Sequence, residues 1–260
     1  MLDRTLAPAF HQDFSFDLPK PEVIKLTNGL TLDFLPGLQQ NVFKLEIIFR
    51  AGKWYEPKLG VAHFTALMLD KGTKEKSSKK IAQLFDFYGA QIEISAGYDF
   101  TSVAVLGLVK YFKETFMIFH EILSESIFPE DELDLQKEIF IQNLRINNEK
   151  NSVVASKLIR KNIFGSSHPY GSSIEEADVS QISPENLLNY WASFFSPHKI
   201  FLIGNFNPAE IKWISENSNL PLNNSPIDKI VSSKPEDHFQ RMQKAESVQC
   251  SIRLGMKTIK

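Results

Sequence analysis

Residues 42–50 alternate: Phe43, Leu45, Ile47 and Phe49 fall on one face of an extended chain, with Lys44 and Glu46 on the other. A period of two is that of a half-buried strand. Two more apolar runs, 23–26 and 30–34, flank Asn28-Gly29. That pair between alternating residues predicts a hairpin with a type I′ turn, whose two central residues take positive φ. A loop follows from Gly52 to Gly60, then a helix over 61–71 closed by Gly72. A second helix, with Ser78 as its N-cap, carries Ile81, Leu84, Phe85 and Tyr88 on one stripe and stops at Gly89. The runs 91–98 and 100–108 read as strands. Phe112, Phe116, Phe119 and Leu123 recur at helical spacing within 110–126. Further helices are predicted over 129–148 and 152–163, and after Ser183-Pro184, which place a cap and a first-turn proline before Leu187, Leu188, Trp191 and Phe195. A buried strand, 200–203, ends at Gly204-Asn205.

Strands and helices do not alternate strictly in this order. The expected architecture is therefore α+β, with helices packed on a mostly antiparallel β-sheet. Residues 1–21 read as an extended N-terminal arm and 22–215 as one α+β domain. Asn, Ser and Pro cluster within 216–244, which is linker composition. Residues 245–260 open a new strand at 247–255 and read as the start of a second domain, so the chain is expected to be a piece of a longer polypeptide.

Composition narrows the partners. The chain has 260 residues, a formal net charge of -2 and a single cysteine, Cys250. With no basic stripe, nucleic acid and anionic membrane surfaces are not expected partners. One cysteine excludes an intrachain disulfide and a Cys-based zinc site, and suits a reducing compartment. No apolar stretch near the N-terminus has the form of a signal sequence, so a cytoplasmic location is expected. No run of 18 apolar residues is long enough for a membrane-spanning helix.

The segment from Gly60 to Thr73, Gly-Val-Ala-His-Phe-Thr-Ala-Leu-Met-Leu-Asp-Lys-Gly-Thr, resembles the signature helix of the insulinase/mitochondrial processing peptidase (pitrilysin) family, which reads Gly-x-x-His-x-x-Glu-His followed by Lys-Gly-Thr. Six other pieces resemble that family in the same order: Leu26 to Leu30, Phe87 to Ala90, His168-Pro169-Tyr170-Gly171, the Ile182-Ser183 helix start, Gly204-Asn205, and Gln249 to Gly255 as the first strand of a second homologous half. The resemblance spans 22–255. It implies the N-terminal half of a zinc metalloendopeptidase-type fold.

Catalysis in that family needs two histidines one helical turn apart on one Zn²⁺, a glutamate between them as general base, and a distant glutamate as third ligand. Mapped by resemblance, the first histidine is His63, the base position is Ala66, the second histidine position is Leu67, and the distant ligand position is Asn143, with Gln136 at the supporting acidic position. A methyl group cannot accept a proton, and a hydrocarbon fills a space in which an unpaired charge would be costly. Asp70 lies seven residues after His63, about 10.5 Å along the helix, too far to share an ion whose bonds are about 2 Å. Glu138 sits five positions off the ligand slot. No catalytic, cofactor or metal residue is therefore expected, and His63 reads as a buried or hydrogen-bonded remnant. His168 reads as a packing residue, and Trp54, Tyr55 and Phe64 as core or cleft lining. His11, His120, His198 and His238 show no ligand spacing.

The resemblance thus implies a non-catalytic partner or scaffold subunit that helps hold extended peptides beside an active peptidase homologue, or pairs with itself as a dimer. Zinc is expected in active relatives and not here. Two other readings stay open on the sequence: an active zinc metalloendopeptidase with an atypical site, and a structural subunit of a larger complex.

Overall fold

Every buried position of the 42–49 alternation lands on one face of a single sheet. The structure is a computed structural model that describes residues 19–37, 40–218, 220, 239–245 and 247–257. Six strands run β1 (Glu22–Lys25), β2 (Thr31–Pro36), β3 (Val42–Phe49), β4 (Gln91–Ala96), β5 (Thr101–Leu108) and β6 (Pro197–Gly204), in the spatial order β1-β2-β6-β3-β5-β4. The register sets Ile94, Val103, Ile47, Ile200 and Leu32 side by side, and beside them Ile92, Val105, Leu45, Leu202 and Phe34. These rows make one apolar face, and it buries the core. The opposite face carries Lys44, Glu46, Ser102 and Lys199 among shorter apolar stretches. All pairings are antiparallel except β2 with β6, which is parallel.

Helices cover the apolar face. They are α1 (Val61–Met68), α2 (Ser78–Tyr88), α3 (Phe112–Glu125), α4 (Glu130–Asn148), α5 (Asn151–Phe164), α6 (Glu176–Ser180), α7 (Pro184–Phe194) and α8 (Pro208–Asn217). The expected α+β class therefore holds. Helix α1 is buried along Val61, Phe64, Thr65 and Met68, so it threads the middle of the core. The aromatic stripe of α3 packs as its spacing requires: Phe112, Phe116, Phe119 and Leu123 are all buried.

Two local expectations are corrected, and others gain detail. Among the described residues, Phe128 is the one non-glycine with positive φ, so Asn28 is not in the left-handed region and the 28–29 turn is not type I′. Its amide instead donates to the carbonyl oxygens of Ser218 and Leu220 (3.1 and 3.4 Å) while its oxygen accepts from Leu30 N–H, and Gly29 alone takes φ +87°. The cap of α2 is Ser77, whose hydroxyl accepts from Lys80 N–H, and Ser78 is the first helical residue. The loop 52–60 contains a 3-10 turn at Lys53–Tyr55. Helix α8 runs through residue 217. Its capping box, Asn207 with Glu210, together with Pro208 at the first turn, was readable in the sequence. The arm 1–18 and most of the expected linker, 221–238, lie outside the described residues.

Candidate functional site

The first turn of α1 points its N–H groups at a side chain five residues before the helix begins. Oε2 of Glu56 accepts from Gly60 N–H (3.0 Å) and Ala62 N–H (3.2 Å). A carboxylate there satisfies donors that the helix leaves unpaired and meets the positive end of its dipole. Oε1 of the same group is buried without a donor. Burial, the largest cause, pushes the Glu56 carboxyl up to about 7 against the opposing pull of those two hydrogen bonds and of Lys53.

On α1, His63 and Leu67 are the half-exposed positions while Ala66 is buried, and Asp70, half-exposed too, lies in the turn that follows the helix. The three thus share the stripe that the sequence placed together. The His63 ring lies 5.0 Å from the Phe140 ring of α4 and 5.5 Å from Phe64, and those two phenyl rings lie 5.2 Å apart. Burial holds the His63 imidazole below its usual pKa, which favours the neutral ring. Asp70 pairs with Lys71 (2.9 Å).

Helix α4 presents Phe140 and Leu144, one turn apart, to the same space as His63. Asn143 is exposed to solvent, as is Glu138, and Gln136 is half-buried. Gln136 and Asn143, seven apart, share one side of α4 beside the Phe140–Leu144 ridge. Catalytic zinc takes three protein ligands. Among the described residues no three His, Cys, Asp or Glu side chains stand close enough to hold an ion. The donor set around His63, with Leu67 and Asn143 in the other ligand positions and two phenyl rings beside it, does not fit a zinc ion.

Around these residues opens a cavity of about 360 Å³. The 3-10 turn contributes Lys53, the turn after β4 contributes Gly97 and Tyr98, α5 contributes Lys157 and Arg160, and the loop before α6 contributes Ser172. The 3-10 turn is tied to the β4–β5 connection: Lys53 N–H donates to Gly97 O (3.0 Å) and Trp54 N–H to Tyr98 O (2.7 Å). His168 is buried in an aromatic cluster with Trp54, Phe164 and Tyr170, and its Nδ1 accepts from Tyr170 N–H (3.1 Å). It packs, as expected. Tyr170 OH donates to Asp99 (2.5 Å), and burial with that carboxylate pushes the phenol up to about 12. Trp54 is half-buried and Tyr55 buried in the core. His198 stacks on Phe100 at 5.6 Å. His11 and His238 lie outside the described residues.

Sequence reasoning missed the charged lining of this cavity. Lys53, Glu56, Lys157 and Arg160 come from separate elements, and no spacing rule joins them. Glu56 alone had a signal: an acidic residue four positions before Gly60, where the next helix begins.

A family model described as insulinase, peptidase family M16, matches residues 39–178. The chain belongs to that family. Among curated M16-like relatives, an uncharacterized zinc protease, YmxG, of Bacillus subtilis (strain 168) is 23% identical over 203 residues, covering 76% of this chain and 49% of its own length. An uncharacterized zinc protease of Rickettsia bellii (strain RML369-C) is 24% identical over 195 residues, covering 73% and 47%. The chain thus spans about half the length of the curated relatives it matches. A crystal structure of a peptidase M16 inactive domain from Pseudomonas fluorescens superposes with a TM-score of 0.77 at 22% identity, over 84% of this chain and 55% of that one. The first half of the periplasmic protease PqqL from Escherichia coli superposes at 0.70 with 21% identity, over 84% and 50%. At these identities the solved structures establish the M16 fold for this chain.

Proposed function

We propose that this chain is a non-catalytic M16 member that holds extended peptides and works beside another M16 domain, either an active homologue or a second copy. One observation carries the reading: at the position of the signature helix, His63 faces the phenyl rings of Phe64 and Phe140 instead of further metal donors. Ala66, in the base position, is buried and has no group that takes a proton. Leu67 packs against the core where a second imidazole would stand.

Peptide holding rests on the sheet edge. Among the described residues, strand β4 is paired on one side only, to β5, and is the last strand in the sheet. Its free side offers backbone donors and acceptors to an added strand, which is recognition tolerant of sequence. That edge ends at the cavity, where Ala96, Gly97 and Tyr98 form part of the wall. The curated relatives, matched over just under half of their length, and the first half of PqqL support pairing with a further M16 domain.

The test is metal content with proteolysis. The purified chain is expected to carry well under one equivalent of zinc and to cleave no unfolded peptide in a chelator-sensitive way. It is expected to co-elute with an M16 partner in size-exclusion chromatography and to raise that partner's cleavage rate. One equivalent of tightly held zinc with chelator-sensitive cleavage would restore the active-enzyme reading. A chain that stays alone, beside a partner cutting equally well without it, would remove the subunit reading.

A further inference from the structure

The cavity beside His63 draws three cations to its wall, and the nearby carboxylates Asp178 and Glu175 act on Lys53 and Lys157 from outside that wall. Lys53, Lys157 and Arg160 line it with a single carboxylate, Glu56. That carboxylate is committed to the α1 backbone through one oxygen. Burial also raises its proton affinity, so it cancels less than a full charge near neutrality.

The three cations are not equally occupied. Lys157 is largely engaged, since its Nζ donates to Asn148 Oδ1 (2.9 Å) and lies 3.9 Å from Glu175. Lys53 has its Nζ on the Ser172 carbonyl (2.6 Å), a neutral acceptor. Arg160 pairs with no carboxylate among the described residues, and its Nε is buried with no acceptor. Lys53 is held below its usual pKa first by burial, against the pull of Glu56 and Asp178, with repulsion from Arg160 adding to the lowering. Two partly buried cations that repel each other, with donors to spare, are stabilised by an anion placed between them. A guanidinium matches a carboxylate with two parallel hydrogen bonds, which a water molecule cannot reproduce.

Size and surroundings narrow the anion. About 360 Å³ is near the lower end for small-molecule sites, and suits a terminal residue more than a folded partner. Phe140, Leu144 and Ile174 give the cavity an apolar wall. Strand β4 runs toward the cavity and delivers Ala96 and Gly97 to its rim. A peptide lying parallel to β4 would bring its last residue to this point.

We infer that Arg160 and Lys53 anchor the C-terminal carboxylate of a peptide lying along β4, with the last side chain against Phe140 and Leu144. The inference rests on the peptide-holding reading and adds to it the end of the peptide that is read.

Three peptides of one extended sequence, each labelled with fluorescein at the N-terminus, test it by anisotropy with the full chain. One ends in a free acid after an apolar residue, one in an amide, and one in an amide after glutamate. The free acid is expected to bind at least tenfold more tightly than the plain amide. Arg160→Met is expected to erase that preference, and Arg160→Lys to keep part of it. Lys80→Met, an exposed position on α2, is expected to leave it intact. Equal binding of acid and amide by the unmodified chain would overturn the carboxylate anchor and leave peptide holding in place, whether or not any variant folds. Tight binding of the glutamate amide would assign the site to an acidic side chain and overturn the C-terminal assignment. Failure of all three peptides to bind would remove both readings.

Discussion

Glu56 sets a pH dependence that follows from one oxygen atom. Its Oε2 caps α1, while Oε1 is buried without a donor. Its folded pKa, about 7, lies above the ordinary carboxyl value of 4.5. The folded state therefore holds this proton more tightly than the unfolded chain between those values. Its contribution to stability is fully present below about 4.5 and falls as pH rises through about 7. At about 1.4 kcal/mol per pH unit the effect is on the order of 3 kcal/mol. Lys53 opposes it and Asp178 reinforces it. His63 works in the other sense, because its lowered pKa costs stability as pH falls below the unfolded value of 6.5. Glu56→Gln keeps an oxygen for Gly60 and Ala62 N–H and never ionises. Its denaturation midpoint, relative to the unmodified chain, is expected to rise steadily from pH 5 to pH 8; a constant difference over that range would show that the carboxyl titrates normally. At this scale the α1 stripe was legible in the sequence, because His63, Leu67 and Asp70 obey a helical period. Arg160 was not, since over 100 residues separate it from Lys53 and only the fold brings the two to one cavity.

At the scale of elements, the site depends on how closely the 3-10 turn meets the β4–β5 connection. A Cβ on Gly52 would lie 2.5 Å from Tyr98 O and from the Asp99 carbonyl carbon. These are backbone atoms, so no side chain can swing aside. Tyr190 OH also donates to Gly52 O (2.9 Å), which fixes the turn from the α7 side. Gly52→Ala is expected to cost roughly 1–3 kcal/mol by overpacking, read as a lower midpoint in denaturant. An unchanged midpoint would mean that the two segments separate freely. Elements with strong periods were legible: β3, and α3 with its phenylalanines every three or four residues, fall where the pattern puts them. Turn chemistry was less so. The Asn28-Gly29 pair signals a tight hairpin locally, but the Asn28 amide is drawn to carbonyls that follow α8, a contact 190 residues away in sequence. Likewise the parallel pairing of β2 with β6 depends on a return of the chain that no local pattern records.

On the scale of the whole molecule, residues 247–257 carry a run of uncovered apolar side chains. They lie extended along α5: Asn151 Nδ2 donates to Ser247 Oγ and Gln249 O (both 2.6 Å), and Arg253 Nε donates to Ser156 Oγ (3.3 Å). Among the described residues they pair with no strand. Val248, Ile252, Leu254 and Met256 are all even-numbered positions, so in an extended chain they point one way. Val248 is 97% exposed and Leu254 94%. Helix α5 beneath has no fully buried residue. An apolar row with the period of a strand, displayed beside an under-packed helix, is what an M16 partner domain would cover under the function proposed here. Replacing Val248 and Leu254 together by lysine is then expected to weaken association with an M16 partner, or of the chain with itself, by at least tenfold in sedimentation equilibrium. Both side chains are exposed in the isolated chain, so its unfolding midpoint is expected to stay where it was. Association that survives the double substitution would place the partner on another surface. Loss of stability in the isolated chain would mean instead that the row already packs within it.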